Sequence, residues 1–294
     1  MIAFGLALPT MHPGANREVI EAAADVADRL GWRTVWTTDH VLVPHGEAEE
    51  YGRIYEVLIT LAWVAARQPR LQIGTSVIVV PQRNAVVLAK ELATLDDLSG
   101  GRLRVGVGAG WVESEFENLG EGRRYHQRGA YLDETIGLWR HLWSGSTAPF
   151  AGRFHRLSDF LFEPLPAQRE RLPILIGGPS QAALKRAAVL GDGYQSAVMD
   201  PASYELAART IEAAARAAAR PMPQLSARLN VRPGGAAGPL YSLCGSTSNM
   251  LRELRAFIDA GVDEFVLHFE PRDPDALVHA IERFDSDIVQ ELAA

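Results

Sequence analysis

Short apolar segments alternate with amphipathic helical segments along the whole chain, and this alternation constrains the fold more than any other feature. About eight units of strand and helix follow one another, from Ile2–Leu8 with Arg17–Leu30 to Glu264–Phe269 with Asp275–Leu292. Strands that alternate with helices are typical of a parallel sheet. We therefore predict an α/β fold, namely a (β/α)₈ barrel, with an open doubly wound sheet as the alternative.

The strand segments are almost continuously apolar, as in Val105–Val107 and Ile174–Ile176, which is typical of strands covered by helices on both faces. A length of 294 residues fits one such barrel. The second of three insertions contains an aromatic stretch, Gly145–Phe160, that indicates a small excursion of β-structure, and the third contains the Pro- and Gly-rich loop Pro233–Pro239. We predict a single domain over residues 1–294, with insertions at about 111–130, 145–172 and 232–246.

Composition excludes several classes of function. The chain has 29 basic and 36 acidic residues and a formal net charge of −7, which argues against nucleic acid as a main partner, because a basic face is the usual footprint of nucleic-acid binding. Cys244 is the single cysteine, which excludes a disulfide framework and a cysteine-rich metal site. No apolar run reaches the roughly 18–20 residues of a membrane helix, and the first residues lack the pattern of a secretory signal. We expect a cytoplasmic protein without a membrane or nucleic-acid partner.

In a barrel of this kind, functional side chains lie at the carboxyl ends of the strands. Asp39 and His40 directly follow the predicted second strand. A carboxylate beside an imidazole suits acid–base chemistry, because a free histidine titrates close to neutral pH. The alternative is a structural hydrogen bond that closes the loop. Since no strand carries a His-x-His pair and no helix carries histidines at four-residue spacing, we predict no metal site.

Glycines mark the end of the predicted fourth strand, in the run from Gly106 to Gly110, which Trp111 follows. The spacing is G-x-G-x-G, so the G-x-G-x-x-G fingerprint of dinucleotide-binding folds is absent. Strand ends without side chains leave room for a flat ring, and Trp111 would form one wall of that space. The alternative is that the small residues serve packing inside the barrel.

Two further strand ends carry small residues. The third predicted strand ends at Gly74–Val77, and the fifth is followed by Gly177–Ser180, which leads directly into a helix. Backbone N–H groups at a helix N-terminus bind anions, and the two glycines favour this interpretation over the alternative that Ser180 only caps the helix. The chain has neither a G-x-S-x-G elbow nor a G-x-x-x-x-G-K-[ST] loop. We therefore predict a cavity for a flat, phosphate-bearing cofactor that supplies the chemistry.

These motifs taken together resemble the luciferase-like superfamily of flavin and deazaflavin oxidoreductases. The resemblance extends over nearly the whole chain and implies a (β/α)₈ barrel. The branch that the chain resembles most uses the deazaflavin coenzyme F420. The segments that carry the resemblance are Thr38–His40, Gly74–Val77, Ala89–Asp96, Ser99–Leu103, Gly106–Trp111, Gly177–Ser180 and Gly191–Tyr194.

The resemblance implies a position for the cofactor and for one catalytic residue. His40 matches the residue that acts near the reactive ring carbon, so it would be the proton donor or acceptor. A non-proline cis peptide bond after the third strand would support the ring, here between Ser76 and Val77. The residues expected to bind the cofactor are Asp39, Ser76, Val77, Gly108, Ala109, Gly177, Gly178, Pro179 and Ser180.

The resemblance also bears on the substrate, which we expect to be a small organic molecule. Sugar-phosphate dehydrogenase relatives have a glutamate after the glycines of the fourth strand, where this chain has Trp111. This difference argues against their alcohol-dehydrogenase mechanism. It indicates a more apolar substrate pocket, with Trp36, Tyr51 and Trp111 as its lining residues.

The predicted activity is hydride transfer between coenzyme F420 and the substrate. One alternative is a two-component monooxygenase that uses reduced FMN, and a second is a flavin-binding barrel without turnover. A metal-dependent barrel hydrolase is disfavoured by the missing His-x-His pair. The resemblance further implies a homodimer through the barrel helices. The apolar face of Ile54–Ala66 with Trp63 is a candidate contact surface, for which burial in the core is the alternative.

Overall fold

The structure, a computed structural model, describes residues 2–12, 14–47, 51–235, 240–270 and 273–293. Eight parallel strands form the wall of a barrel, in which each strand pairs with the next and the eighth pairs with the first. The strands β1 to β8 are Ala3–Ala7, Thr34–Thr37, Gln72–Thr75, Leu103–Gly108, Ile174–Gly177, Gly193–Ala197, Gln224–Pro233 and Glu264–Phe269. Because the sheet closes on itself, the predicted (β/α)₈ barrel is confirmed and the open-sheet alternative is wrong.

One main helix follows each strand and covers the outside of the barrel. The helices α1 to α8 are Arg17–Arg29, Val57–Arg67, Ala85–Leu98, Arg128–Trp143, Gln181–Val189, Pro201–Ala217, Thr247–Asp259 and Pro274–Phe284. Several begin after a short polar side chain that accepts a backbone N–H of the first turn, which is the usual signal for a helix start. Such caps are Asn16, Asn84, Ser180, Asp200, Ser246 and Asp273.

Three shorter groups of elements lie in or near the predicted insertions. Segment 111–130 contains the helices Glu113–Asn118 and Gly122–Tyr125. Segment 145–172 contains an antiparallel pair of strands, which bears out the predicted β-structure, and a 3₁₀ turn. These elements are Phe150–Ala151, Arg156–Leu157 and Arg169–Arg171. Of the third segment, residues 236–239 lie outside the described residues.

A short strand at Ser242–Gly245 was not predicted. It pairs in parallel with the last residues of β7, beginning with Asn230 opposite Ser242. β7 is ten residues long, so its end extends beyond the neighbouring strands and has a free edge there. The pairing is therefore a consequence of strand length, which the apolar pattern of β7 did not reveal.

The remaining short elements complete the connections between strands and helices. Ile78–Val79 pairs with the end of β4, and a π-helical turn at Asp285–Val289 follows α8. In that turn Asp285 accepts a hydrogen bond of 2.8 Å from the indole Nε1 of Trp32. Two 3₁₀ turns and a terminal helix are His45–Glu47, Val80–Gln82 and Gln290–Ala293.

The interior of the barrel is filled below the carboxyl ends of the strands. Arg104 on β4 and Glu264 on β8 form a buried ion pair near the amino ends. Above them the indole of Trp36 is buried, and its ring centre lies 5.1 Å from the guanidinium carbon of Arg104. A filled interior leaves the rim at the carboxyl ends as the place for a ligand, as in other barrels of this type. Among the described helices, none is both long enough and apolar enough to cross a membrane.

Candidate functional site

The rim of the barrel brings together the residues predicted to form the site. Asp39 and His40 follow β2, Ser76 and Val77 follow β3, and the glycine-rich segments follow β4 and β5. These four strands are consecutive neighbours in the barrel wall. The predicted residues therefore occupy one continuous half of the rim, although Asp39 and Ser180 are 141 positions apart in sequence.

The peptide bond between Ser76 and Val77 is cis, as predicted. Ser76 is buried and Val77 half-buried. Pairing of the chain with β4 resumes immediately afterwards, with Ile78 opposite Val107 and Val79 opposite Gly108. We call the segment Ser76–Val77 the bulge. It interrupts the pairing of this part of the chain with β4 and exposes part of Val77 at the mouth of the barrel.

The glycines at the ends of β4 and β5 make room for the bulge. A Cβ atom on Gly108 would lie 2.7 Å from Cγ2 of Val77, and one on Gly177 would lie 2.7 Å from Cγ1 of the same side chain. A Cβ on Gly106 would lie 2.0 Å from the carbonyl oxygen of Thr75. The space predicted for a cofactor ring at Gly108 is thus occupied by Val77. The packing alternative accounts for these glycines, and any ring must lie above Val77.

Arg228 holds the bulge from inside the barrel, and the sequence motifs gave no indication of this residue. Its Nη1 donates to the carbonyl oxygen of Ser76 and lies 2.9 Å from Ser76 Oγ. Its Nη2 donates to Oγ1 of Thr38 at 2.9 Å. The alternation of Ser226, Arg228 and Asn230 along β7 is the signal that could have placed a guanidinium on the inner face.

Asp39 braces the chain that follows the bulge. One carboxylate oxygen accepts the N–H of Val79 at 2.8 Å, and the other accepts Nη2 of Arg83 at 2.7 Å. Burial raises the pKa of Asp39, and the neighbouring Arg83 and the Val79 N–H counteract that rise. Both oxygens are therefore engaged within the protein. The predicted contact of Asp39 with a cofactor ring stays a prediction.

His40 is paired with a buried carboxylate. Its Nδ1 lies 3.1 Å from Oε2 of Glu115, and the two side chains are 8% and 1% exposed. The other oxygen of Glu115 accepts the N–H groups of Val41 at 2.6 Å and Leu42 at 3.2 Å. Burial acts to raise the pKa of Glu115, but hydrogen bonds from His40, the Val41 N–H and Gln82 outweigh it and lower the pKa to about 2. The carboxylate is therefore ionised beside the imidazole.

Glu115 is a functional candidate that the sequence motifs missed. It lies on the short helix Glu113–Asn118, four residues after Trp111. Glu115 is buried, whereas Glu113 and Glu117 on either side of it are exposed. Only the structure shows this difference, because the helix is too short for a periodic pattern in the sequence. This chain has Trp111 at the position where the sugar-phosphate dehydrogenases that it resembles have a glutamate. A different carboxylate, that of Glu115, lies at the same rim.

Two of the three aromatic residues predicted for the substrate pocket lie beside His40. The ring centre of Tyr51 is 4.6 Å from that of His40, and Trp111 approaches His40 edge-on at 6.3 Å. Trp111 is 57% exposed. Both rings therefore lie at the open end of the barrel, where a substrate could reach them.

Trp36 does not lie at the open end, which corrects the expectation that it lines the pocket. It has no exposed surface and packs against Ala7, Leu175 and Val266 inside the barrel. A Cβ atom on Gly74 would lie 2.3 Å from its indole, so the glycine of the neighbouring strand admits the large ring. Trp36 belongs to the interior because side chains alternate along β2, and this position faces inward below the rim.

The segment from Gly177 to Ser180 lies exposed or half-buried at the N-terminus of α5. The Oγ of Ser180 accepts the N–H of Ala183 at 3.2 Å, so the predicted capping alternative is observed. Gly178 has a φ of +113°, a conformation that favours glycine. Its carbonyl oxygen accepts a hydrogen bond from the hydroxyl of buried Tyr194 at 3.2 Å. Binding of an anion by this segment, including the exposed Pro179, stays a prediction, as does the role of half-buried Ala109.

Two further histidines lie at the rim on the other side. His12 follows β1 and His268 lies near the end of β8, and their rings stack with centres 5.9 Å apart. Nδ1 of His268 is 3.3 Å from Oδ1 of Asn230. Within the described ranges, no three side chains of His, Cys, Asp or Glu are grouped so that they could hold a metal ion.

The sequence is similar to those of known oxidoreductases. The model of the luciferase-like monooxygenase family matches residues 2–237. An F420-dependent glucose-6-phosphate dehydrogenase of Amycolatopsis mediterranei (strain U-32) is 36% identical over 180 residues, which are 60% of this chain and 52% of that protein. An FMNH(2)-dependent dimethylsulfone monooxygenase of Pseudomonas putida is 31% identical over 172 residues, which are 58% of this chain and 46% of that protein. The chain thus spans about half the length of the curated relatives it matches.

A solved structure of similar fold covers almost the whole chain. It is an F420-dependent secondary alcohol dehydrogenase in complex with an F420-acetone adduct, with a TM-score of 0.82 over 98% of this chain and 99% of that one. The two sequences are 18% identical. At that identity the likeness establishes the barrel and the order of its elements, and it is silent on the substrate.

Proposed function

This chain belongs to the luciferase-like monooxygenase family, and from that premise we propose that it is an oxidoreductase that transfers a hydride between coenzyme F420 and a small organic substrate. The observation that carries the proposal is the arrangement of one half of the rim. There the bulge Ser76–Val77, the segment Gly177–Ser180 and His40 lie at the ends of neighbouring strands. The identity with an F420-dependent dehydrogenase supports the choice of cofactor.

The residues present fit a flat ring with an anionic tail. Val77 presents a half-buried apolar surface at the mouth, and Gly108 and Gly177 can carry no side chain beside it without a collision. The backbone N–H groups at the start of α5 suit a phosphate. A bound deazaflavin supplies a ring carbon that carries hydride. Arg228 and Asp39 would hold the supporting surface in place through Ser76 and Val79.

His40 would move the proton that accompanies the hydride. When a carbonyl is reduced, the substrate oxygen needs a proton, and an imidazole at the rim can donate it; in the oxidative direction the same nitrogen accepts it. Tyr51 and Trp111 flank the ring of His40 and would exclude water from the substrate. Their aromatic surfaces favour an apolar substrate over a sugar phosphate.

Two observations favour the alternative of a monooxygenase that uses reduced FMN. Trp111 stands where the sugar-phosphate dehydrogenases that the chain resembles have a glutamate, and a relative of comparable identity is named an FMNH(2)-dependent monooxygenase. An aromatic wall beside a histidine that contacts an ionised glutamate serves either cofactor. An experiment therefore has to distinguish F420, which has a carbon at the reactive ring position, from FMN, which has a nitrogen there.

Titration of the purified protein with F420 and with FMN, each in oxidised and reduced form, tests the proposal by fluorescence and absorbance. We expect micromolar binding of F420, and weaker binding in variants that lack the glycine at position 178, such as Gly178→Val. Micromolar binding of FMN without binding of F420 would replace the proposal with the monooxygenase. Binding of neither cofactor would overturn both.

We also propose that two copies of the chain associate through α2. The inner face of this helix is buried, but Ile59 is 73% exposed and Trp63 is half-buried on the outer face. Ala62 and Ala66 are exposed on the same outer face. A helix that is apolar on both faces is typical of one covered on both, and a second copy of this chain would provide the cover.

A further inference from the structure

We propose that Glu115 is a positioning residue for proton transfer: it holds Nδ1–H of His40, so that Nε2 is the nitrogen presented to the substrate. The inference rests on the proposed function, because it concerns the histidine of the same site. It goes beyond that function by naming the residue that determines which ring nitrogen is available. The role is one of orientation, since the described contacts of Glu115 are those with His40, with the side chain of Gln82 and with two backbone N–H groups.

The carboxylate of Glu115 has a single orientation. Oε2 faces Nδ1 of His40 at 3.1 Å, while Oε1 accepts two consecutive backbone N–H groups, those of Val41 and Leu42. A tilt of the carboxylate plane would break all three contacts, whereas a half-turn exchanges two equivalent oxygens and restores them. The glutamate is therefore tied to the loop that carries His40, and the ring is held by the same group that holds its backbone.

The protonation of Glu115 determines the tautomer of His40. An ionised carboxylate only accepts hydrogen bonds, so Nδ1 must carry its proton in both the neutral and the charged ring. In the neutral ring the lone pair is then on Nε2. Glu115 is ionised throughout the neutral range, because the hydrogen bonds described above lower its pKa to about 2 despite burial.

The aromatic neighbours restrict the ring further. Tyr51 lies at 4.6 Å from the ring of His40, tilted by 43°, and Trp111 approaches edge-on with an interplanar angle of 86°. With Nδ1 tied to Glu115 and both rings in contact, the imidazole can rotate little about its own axis.

The isosteric variant Glu115→Gln tests the inference. Its amide oxygen can still accept the Val41 and Leu42 N–H groups, but its NH₂ then faces Nδ1 of His40 and requires that nitrogen to accept. We expect long-range ¹H–¹⁵N spectra of the cofactor-free protein at alkaline pH to show Nδ1–H in the parent and Nε2–H in the variant. Spectra of His40→Gln identify the signals of His40, and Glu117→Gln, an exposed glutamate on the same helix, is the matched control.

Turnover gives the second readout. We expect Glu115→Gln to lower kcat about 100-fold, a typical contribution of acid–base catalysis, with KM and cofactor affinity within about threefold of the parent. Glu115→Asp, which restores a carboxylate, should recover part of the loss. Unchanged kcat in Glu115→Gln, or a parent spectrum that shows Nε2–H, would overturn the inference.

The two readouts separate this inference from the proposed function. The spectra need no cofactor or substrate, so the Nδ1–H tautomer in the parent would support the inference even if F420 does not bind. Far-ultraviolet circular dichroism shows whether Glu115→Gln folds. If it does not fold, the ¹H–¹⁵N spectrum of the parent and the activity of Glu115→Asp test the inference instead. In that case an Nε2–H tautomer in the parent contradicts the inference.

Discussion

Gly106 lies where the backbone of β4 passes closest to the bulge. A Cβ at this position would be 2.0 Å from the carbonyl oxygen of Thr75, and a backbone atom cannot move aside as a flexible side chain can. We expect Gly106→Ala to lower the free energy of unfolding by about 2–3 kcal/mol, the upper range for an overpacked site. Urea denaturation followed by fluorescence measures the change.

Gly137 provides the control for this prediction. It lies exposed within α4, its Cβ would meet no atom of the described residues within 4 Å, and its φ is not positive. Alanine should therefore raise the free energy of unfolding there by about 0.5–1 kcal/mol, because it restricts the unfolded chain. Equal effects of the two substitutions would contradict the close approach at Gly106.

Glu115 makes stability depend on pH in a defined window. Its pKa in the folded protein is about 2, against 4.5 for the free side chain. The folded state therefore binds fewer protons than the unfolded state between these values, so the contribution is complete above pH 4.5 and is lost as the pH falls toward 2. The full contribution is about 3 kcal/mol, of which roughly 2 kcal/mol would be lost by pH 3.

Urea denaturation of the parent and of Glu115→Gln at pH 7 and pH 3 checks this contribution. Other carboxylates titrate in both proteins, so the difference between them isolates Glu115. We expect the gap in unfolding free energy to narrow as the pH is lowered. A gap that is the same at both pH values would contradict the depressed pKa.

At the scale of elements, the rim segment before α5 depends on a hydrogen bond from β6. The hydroxyl of Tyr194 donates to the carbonyl oxygen of Gly178 at 3.2 Å. Without this hydrogen bond the segment Gly177–Ser180 is held less firmly at the rim. A hydrogen bond of this kind contributes about 1 kcal/mol to the stability of the conformation that it holds. We expect Tyr194→Phe to raise the Kd for F420 about fivefold, measured by fluorescence titration.

Tyr204 on α6 is the matched control for that substitution. Its hydroxyl is buried and has no hydrogen-bond partner among the described residues, so removal of the oxygen costs no described contact and relieves an unsatisfied group. Tyr204→Phe should leave the Kd for F420 unchanged and the free energy of unfolding equal or higher. A similar change of affinity in both variants would show that the effect does not pass through Gly178.

At the scale of the whole molecule, the outer face of α2 leads to a prediction about assembly. Ile59 is 73% exposed in the first turn of the helix, where a negative charge is tolerated well by the helix dipole. Ile59→Glu should therefore leave the barrel folded but convert a dimer to a monomer. Sedimentation velocity at several concentrations measures the change.

Leu206 on α6 is a control of similar exposure, at 67%. We expect Leu206→Glu to sediment as the parent does. A monomeric parent would contradict the proposed dimer, and dissociation by Leu206→Glu with none by Ile59→Glu would move the contact surface from α2 to α6.

Much of the fold was predictable because it depends on local patterns. The alternation of apolar strands and helices predicted the barrel, and the capping alternative at Ser180 marks a helix start that the structure confirms. The cis bond between Ser76 and Val77 was also predicted, from the resemblance of the surrounding motif. The strand Ser242–Gly245 was missed because its pairing depends on how far β7 extends beyond its neighbours.

The candidate site was predictable in part, for a related reason. His40, Asp39 and the glycine-rich segments stand out because each follows a strand directly, and strand ends meet at one rim. Arg228 was missed because its partner Ser76 is 152 positions away, and an arginine in a strand carries no local sign of what it contacts.

The sequence by itself determined that strands alternate with helices in a parallel α/β fold and which motifs follow the strands, because both follow from periodicity and from the direction of parallel strands. Closure of the sheet into a barrel was favoured by the sequence and established by the structure. The tertiary structure alone decided what those residues do to one another. It filled the space of the glycines with Val77, placed Trp36 in the interior, and joined His40 to Glu115, 75 positions further along. Contacts of this kind depend on the depth, register and facing of side chains across strands, which no local pattern encodes.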